Sequence, residues 1–252
     1  MNTQKIKTFI KENWIFYLIG FLAAFEMKYF YSKASSSDLT WILTPTVWWV
    51  RSLSGIPFVY DPFEGYVSHT YQFVIAPSCS GVQFMIISIA MLIFSYVHHM
   101  DTRRKKFCWT TLSPVVSYLV TILVNTIRII LSIYLPLYLE QKSLSCGLLT
   151  PSRLHTLIGT SVYFTSLLII YHLAGLITKQ SFFQCLPPVF FYFGIVLGIP
   201  ILNKAYQNDR AQFTEYAMLI TCVCLVILAL SYLVTVVKKV LVSHYHFRVR
   251  SR

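Results

Sequence analysis

The sequence predicts an all-α membrane protein, and two observations support that fold class. Apolar residues make up 56% of the 252 residues and charged residues only 12%, whereas a soluble domain carries about 25% charged residues. Because this small number of charged side chains cannot cover the surface of a soluble globule, the composition excludes an ordinary soluble enzyme. Second, the apolar residues are grouped into segments of about 17–25 residues, the length that a bilayer core requires.

Six such segments predict about six transmembrane helices in a single polytopic domain covering residues 1–252. They lie at about 14–31, 79–97, 109–135, 155–177, 185–202 and 215–237.

The distribution of positive charge predicts the orientation of these helices. Of the 21 Lys and Arg residues, thirteen lie in segments on the side of both termini and six on the other side, with Lys28 and Arg128 inside spans. Cytoplasmic loops are enriched in positive charge. We therefore expect a multi-pass protein of the plasma (inner) membrane with both termini in the cytoplasm. The net charge of +12 then reflects contacts with anionic lipid, and nucleic acid is not an expected partner.

The segment between the first two spans is predicted to lie on the outer membrane face. Trp41, Trp48 and Trp49 predict an interfacial helix, because tryptophan prefers the headgroup zone. Residues 57–60 and 66–75 are rich in the residue types of strands and are separated by a turn containing Pro and Gly. They predict an outward-facing β-hairpin that leads into the second span.

Cys79 is a candidate nucleophile at the start of the second span. The spacing of Ser80 and Gln83 predicts a capping box, and a helix N-terminus stabilises a thiolate. Gly81 allows a backbone or substrate to approach closely, and Gln83 could donate a hydrogen bond. The alternatives are a buried, unreactive thiol or a disulfide between Cys79 and Cys146.

Arg128 is a candidate functional residue because a charge inside a membrane span is costly and marks a functional site by default. The polar residues of the third span recur at intervals of three or four and so form one stripe: Ser113, Ser117, Thr121, Asn125, Arg128 and Ser132. The alternatives are an arginine that extends to the outer headgroups and a structural pair with Glu26.

His155 is the third candidate, since Pro151 and Ser152 predict a helix start just before it. A lone histidine at a membrane edge is more often structural than catalytic, and His69 in the hairpin is a rival. The predicted orientation brings Cys79, Arg128 and His155 to the same outer depth. A thiol, a guanidinium and an imidazole together suit acyl transfer.

These residues resemble motifs of the exosortase/archaeosortase family of membrane cysteine transpeptidases, and the compact architecture resembles its exosortase K branch. The matching residues are Cys79-Ser80-Gly81, then Asn125 with Arg128, then His155 with Gly159. The resemblance covers about residues 57–177, which would form the catalytic core. Family members often have arginine after the histidine; here Thr156 follows it and Arg153 precedes it.

The resemblance implies a thiol protease and transpeptidase that sorts exported proteins. Such enzymes cleave a C-terminal signal made of a short motif, a transmembrane helix and a basic tail. If the roles of the family's residues apply to the matching positions here, Cys79 forms a thioester acyl-enzyme and His155 acts as base and then as acid. Arg128 stabilises the oxyanion. The residues implied to orient the substrate are Gln83, Asn125, Ser80 and Gly81. No metal or organic cofactor is implied; a lipid or glycan would be the acyl acceptor.

Two other classes of function stay open. A small transporter or channel would use Arg128 to line a path, and the polar stripe would then continue to the inner face with further charges. A non-catalytic scaffold for envelope assembly would not need Cys79. The substrate motif, the choice between hydrolysis and transfer, the oligomeric state and the role of residues 178–252 also stay open.

Overall fold

The computed structural model describes residues 3–142, 150–178, 186–203 and 209–250, with side chains from residue 9 to residue 237. The protein is mostly helical. Its helices are α1 (Thr3–Lys33), α2 (Thr40–Ser54), α3 (Val82–Tyr96), α4 (Arg103–Gln141), α5 (Pro151–Ile177), α6 (Leu186–Phe193), α7 (Ile199–Leu202) and α8 (Arg210–Arg250).

Four helical segments are long and apolar enough to cross a membrane, which confirms the membrane class. They are Pro77–His99, Arg103–Gln141, Pro151–Ile177 and Arg210–Val237. The predicted first span falls within α1, which is not among these four, and the predicted fifth span corresponds to a shorter apolar stretch, Leu186–Leu202. The count of six spans therefore stays a prediction.

The segment between α2 and α3 forms a three-stranded antiparallel sheet rather than a single hairpin. The strands are β1 (Val59–Asp61), β2 (Gly65–Ser68) and β3 (Phe73–Ile75), in the order β1-β2-β3. The single strand predicted over 66–75 is wrong because the chain turns back after Ser68. Gln72 adopts a φ of 48° in this second turn, a conformation that the strand-like composition does not reveal.

α3 lies at the centre of the molecule and contacts α1, α4, α5 and α6. On one side it packs into an apolar cluster with α2 and the sheet, which includes Ile42, Val50 and Ile75. On the other side Phe84 and Met91 join a second cluster from α5, α6 and α8. A helix that is apolar all round is expected to be buried in this way, and its first residues are consequently held in the interior.

α4 places the polar stripe against this centre. The six residues lie on one face, as predicted from their spacing, and the structure shows that all are buried: Ser113, Ser117, Thr121, Asn125, Arg128 and Ser132. At the other end of the same face, buried Lys106 donates to Asn13 Oδ1 of α1 at 2.8 Å. By contrast α1 and α8 expose many large apolar side chains, such as Phe25 and Leu230, as expected of helices that face lipid.

Candidate active site

Cys79 lies in a short 3-10 turn, Pro77–Cys79, that precedes α3. Gly81 follows in the left-handed region with φ of 79° and forms the N-cap of α3 without a side-chain cap bond. The predicted capping box is therefore wrong: the left-handed residue separates Ser80 from the helix, and Ser80 Oγ is only a distant 3.5 Å acceptor for the Val82 amide. Cys79 is a free thiol and is 8% exposed.

Gly81 allows the close approach that the sequence suggested, and α4 is the element that approaches. A Cβ at this position would lie 3.0 Å from Thr121 Cγ2 and 3.2 Å from Asn125 Cγ. Asn125 Nδ2 donates a 2.6 Å hydrogen bond to the Cys79 carbonyl oxygen. Asn125 and Gly81 thus fix the cysteine turn against the middle of α4.

Arg128 lies one turn beyond Asn125 and is only 8% exposed. It donates to Tyr163 Oη at 3.0 Å and to His155 Nε2 at 2.7 Å, and its positive charge acts electrostatically on the Cys79 side chain. Both alternatives for Arg128 are wrong. The side chain is buried rather than extended to the surface, and no ion pair with Glu26 occurs among the residues that the structure describes.

His155 lies in the second turn of α5, whose start at Pro151 agrees with the sequence prediction. A guanidinium has only donors, so the Nε2 that faces Arg128 must be the unprotonated nitrogen of a neutral ring. No direct hydrogen bond between Cys79 and His155 occurs in the described part of the chain, and there no carboxylate contacts the ring. The hydrogen-bond partner of the imidazole is therefore Arg128 rather than Cys79.

Tyr163 is the site residue that the sequence analysis missed. Its hydroxyl donates to Asn125 Oδ1 at 2.8 Å while it accepts from Arg128. A signal for it was present in the sequence, because His155, Gly159 and Tyr163 recur every four residues and so share one face of α5. Tyrosine is common in this chain, with 17 copies, so that signal was not distinctive.

A cavity of about 190 Å³ lies beside these residues. Its walls include Ser78, Gly81 and Gln83 from the region around Cys79, although Cys79 itself is not among the lining residues. Other lining residues come from the C-terminal helical region: Tyr192, Val196 and Tyr216. The cavity therefore reaches the site from a part of the chain that none of the sequence motifs includes.

Arg128 Nε is buried and has no hydrogen-bond partner. A Cβ at Gly159 would lie 3.2 Å from this nitrogen, and both residues line the cavity. The absent side chain of Gly159 leaves space next to an unused N–H donor. An oxygen atom of a ligand is the group that fits this space chemically.

The remaining candidates from the sequence are not seen at this cavity in the described part of the chain. His69 is exposed in the turn between β2 and β3 and does not line the cavity. The proposed disulfide partner Cys146 lies outside the described residues, while Cys79 is a free thiol. Within the described ranges, no group of three His, Cys, Asp or Glu side chains could hold a metal ion.

A family model described as transmembrane exosortase (Exosortase_EpsH) matches residues 8–172. This range includes all the motif residues together with Tyr163 and ends before α6. No curated protein and no solved structure matches the chain.

Proposed function

The chain belongs to the transmembrane exosortase family, and on that basis we propose that it is a cysteine transpeptidase acting on C-terminal sorting signals. The family match supports a membrane transpeptidase or protease role in general. The observation that supports the specific proposal is the position of Arg128. One buried guanidinium donates to the imidazole of His155 and acts electrostatically on the thiol of Cys79, whose backbone the neighbouring Asn125 holds.

In the proposed reaction Cys79 is the nucleophile and His155 the proton carrier. The thiol proton moves to Nε2 of His155, and the sulfur forms a bond to the carbonyl carbon of the scissile peptide. The C–N bond then breaks as His155 returns the proton to the leaving amine, which yields a thioester. Because Nε2 now accepts from Arg128, this contact must open when substrate enters.

Arg128 is proposed to stabilise the oxyanion that forms during this attack. Its Nε–H is the free donor, and the space beside Gly159 could admit the carbonyl oxygen. A guanidinium stays charged and presents donors in a fixed plane. A buried donor of this kind, which needs no rearrangement, lowers the barrier more than one in water would.

The other site residues are proposed to shape the site and to orient the substrate. Gly81 and Asn125 fix the cysteine turn, Ser80 is fully buried beside it, and Gln83 lines the cavity, where it could hold the substrate backbone. The substrates proposed are exported proteins with a short motif, a transmembrane helix and a basic tail. The acyl acceptor is a lipid or glycan, and the mechanism needs neither metal nor organic cofactor.

The proposed location is the plasma membrane, with both termini in the cytoplasm and the site on the extracytoplasmic side. Single cysteines at positions 64 and 104 in a cysteine-free background test this orientation. A membrane-impermeant maleimide should label position 64 and not position 104. The reverse pattern would place the site in the cytoplasm and contradict the proposal.

Processing of a tailed protein tests the function. Proteins of the same genome with a C-terminal motif, helix and basic tail would be co-expressed with each variant, and their size followed on a gel. Cys79→Ala should abolish processing, and Cys79→Ser should be nearly inactive because a hydroxyl needs a stronger base. Cys224→Ala is the matched control, since Cys224 is also buried but lies in the apolar cluster. Full processing by Cys79→Ala at normal membrane abundance would show that Cys79 is not the nucleophile.

A further inference from the structure

Tyr163 has a connection to the site that no sequence motif assigns. Its hydroxyl has one proton, which it donates to Asn125 Oδ1, and a lone pair, which accepts from Arg128. Asn125 in turn donates to the backbone of Cys79, and Arg128 contacts His155. A single hydroxyl therefore joins the residue that fixes the cysteine turn with the residue that contacts the imidazole.

The ring of Tyr163 is itself held firmly. It stacks on Phe84 of α3 with 4.9 Å between ring centroids and an angle of 22°. The Arg128 Cζ atom lies 5.1 Å from its centroid, within the range of a cation–π contact. The hydroxyl is thus presented from a ring whose position is fixed by packing between α3 and α4.

Without this hydroxyl, the one short hydrogen bond of Arg128 would be that to His155 Nε2, which must open in the proposed reaction and would leave the guanidinium poorly restrained. The only other hydrogen bond from the same nitrogen is to Asn125 Oδ1 at 3.5 Å, which is too long to orient a guanidinium. No carboxylate holds Arg128 anywhere among the described residues. The tyrosine therefore does for this arginine what a carboxylate does elsewhere, but it adds no negative charge.

We propose that Tyr163 is a positioning residue whose hydroxyl holds the Arg128 guanidinium between Cys79 and His155. The proposal rests on the proposed cysteine transpeptidase function. A neutral partner leaves the full positive charge of Arg128 available to the thiolate and to the oxyanion. A carboxylate in the same place would neutralise that charge, and a phenylalanine would leave the guanidinium free to turn away.

The reactivity of Cys79 towards a small thiol reagent tests this without any substrate protein. The other five cysteines would be replaced by alanine, and the rate of reaction with methyl methanethiosulfonate measured from pH 5 to 10. Only the thiolate reacts. Tyr163→Phe keeps the ring and should move the midpoint of the profile to higher pH, with a reaction rate at pH 7 reduced about 3-fold to 10-fold. Tyr96→Phe is the matched control, because it removes another part-buried hydroxyl bond, to the Tyr171 carbonyl, and should leave the profile unchanged.

A double variant separates positioning from general damage to the fold. Arg128→Gln should shift the profile further than Tyr163→Phe, and Tyr163→Phe should add nothing in the Arg128→Gln background, because the hydroxyl acts only through the guanidinium. Equal, additive shifts in the two backgrounds would overturn the proposal. So would a profile for Tyr163→Phe identical to that of the control, or its loss from the membrane while Tyr96→Phe is retained.

Processing gives an independent readout. Tyr163→Phe should reduce the rate of processing about 10-fold to 100-fold, the effect of losing a hydrogen bond to a charged group, with little change in the substrate concentration at half-maximal rate. An unchanged maximal rate would contradict the positioning role. If Cys79→Ala still processed substrate, the proposed function would fail, while the thiol-reactivity result for Tyr163 would stand by itself.

Discussion

Two arginines lie on different sides of the candidate site and are held in opposite ways. Arg128 is buried on α4 and its hydrogen bonds go to neutral side chains, Tyr163 and His155. Arg153 is partly exposed near the start of α5 and forms an ion pair with Glu215 of α8. Arg153 lines a separate cavity of about 410 Å³. That cavity shares Thr156 and Tyr216 with the site cavity.

The difference shows which arginine has an uncompensated charge. The charge of Arg153 is already matched by a carboxylate, and exposed ion pairs of this kind contribute little to stability because water and salt screen them. Burying Arg128 without a counter-ion is unfavourable, so its retention points to a function that uses the charge. The negative charge that would match it forms only during the proposed reaction.

The comparison also explains the departure from the family pattern beside His155. Thr156 is the residue directly after the histidine, and it lines the site cavity. An arginine at this position would occupy much more of the cavity than threonine does. The arginine that precedes the histidine points to α8 instead, which lies outside the matched range 8–172. In this chain the flanking cation therefore connects the family core to the C-terminal helix.

The largest effect is expected from Arg128→Lys. An ammonium cannot reach Tyr163, His155 and an oxyanion at once, because it lacks the planar arrangement of donors. We expect processing to fall by about 10²–10³, the usual loss for an oxyanion donor. Arg153→Lys is the paired control and should retain nearly full activity. Equal losses in the two variants would abolish the distinction between the arginines.

His155→Ala should lower the processing rate about 10²-fold, the lower end of the range typical of a general acid–base residue. His69→Ala should be close to wild type, because His69 is exposed in a turn away from the cavity. Normal processing by His155→Ala together with loss of processing in His69→Ala would show that His69, not His155, is the base.

Gly159→Ala tests the space next to Arg128. The new Cβ would lie 3.2 Å from Nε, so the guanidinium must shift by a few tenths of an ångström, and we expect processing to fall about 10-fold, since small misplacements are costly in catalysis. Alanine also favours the helix by about 0.5–1 kcal/mol, so the thermal stability should not fall.

Gly194→Ala is the control for this glycine, because no atom lies within 4 Å of the added Cβ. It should leave processing unchanged. A wild-type rate for Gly159→Ala would show that the free Nε–H is not needed.

The smallest effect is expected from the exposed ion pair. Arg153→Gln and Glu215→Gln should each stay within about twofold of the wild-type processing rate, because such a pair is largely screened. Exchanging the two charges, with Arg153→Glu and Glu215→Arg combined, should restore whatever is lost. A large loss that the exchange does not restore would give Arg153 a direct role at the site.

The sequence predicted the chemical groups of the site but not how they are connected. A charge inside a span indicated Arg128, and the order of the motifs along the chain indicated Cys79 and His155. In place of the expected thiol–imidazole contact, His155 accepts a hydrogen bond from Arg128, an arrangement that depends on side-chain positions from different helices. Spacing along the chain gives the face of a helix on which a residue lies, but not which atoms meet across helices.

By itself, the sequence determined the membrane class, the alignment of the polar stripe on one face of α4 and the close approach at Gly81, because hydropathy, helical period and the absence of a Cβ act locally. Only the tertiary structure decided that the 66–75 segment breaks into two strands, that Tyr163 holds Arg128, and that the C-terminal helices line the site cavity. These features depend on contacts between residues far apart in the chain. For example, the hydrogen bond from Arg128 to Tyr163 spans 35 residues, and the ion pair between Arg153 and Glu215 spans 62.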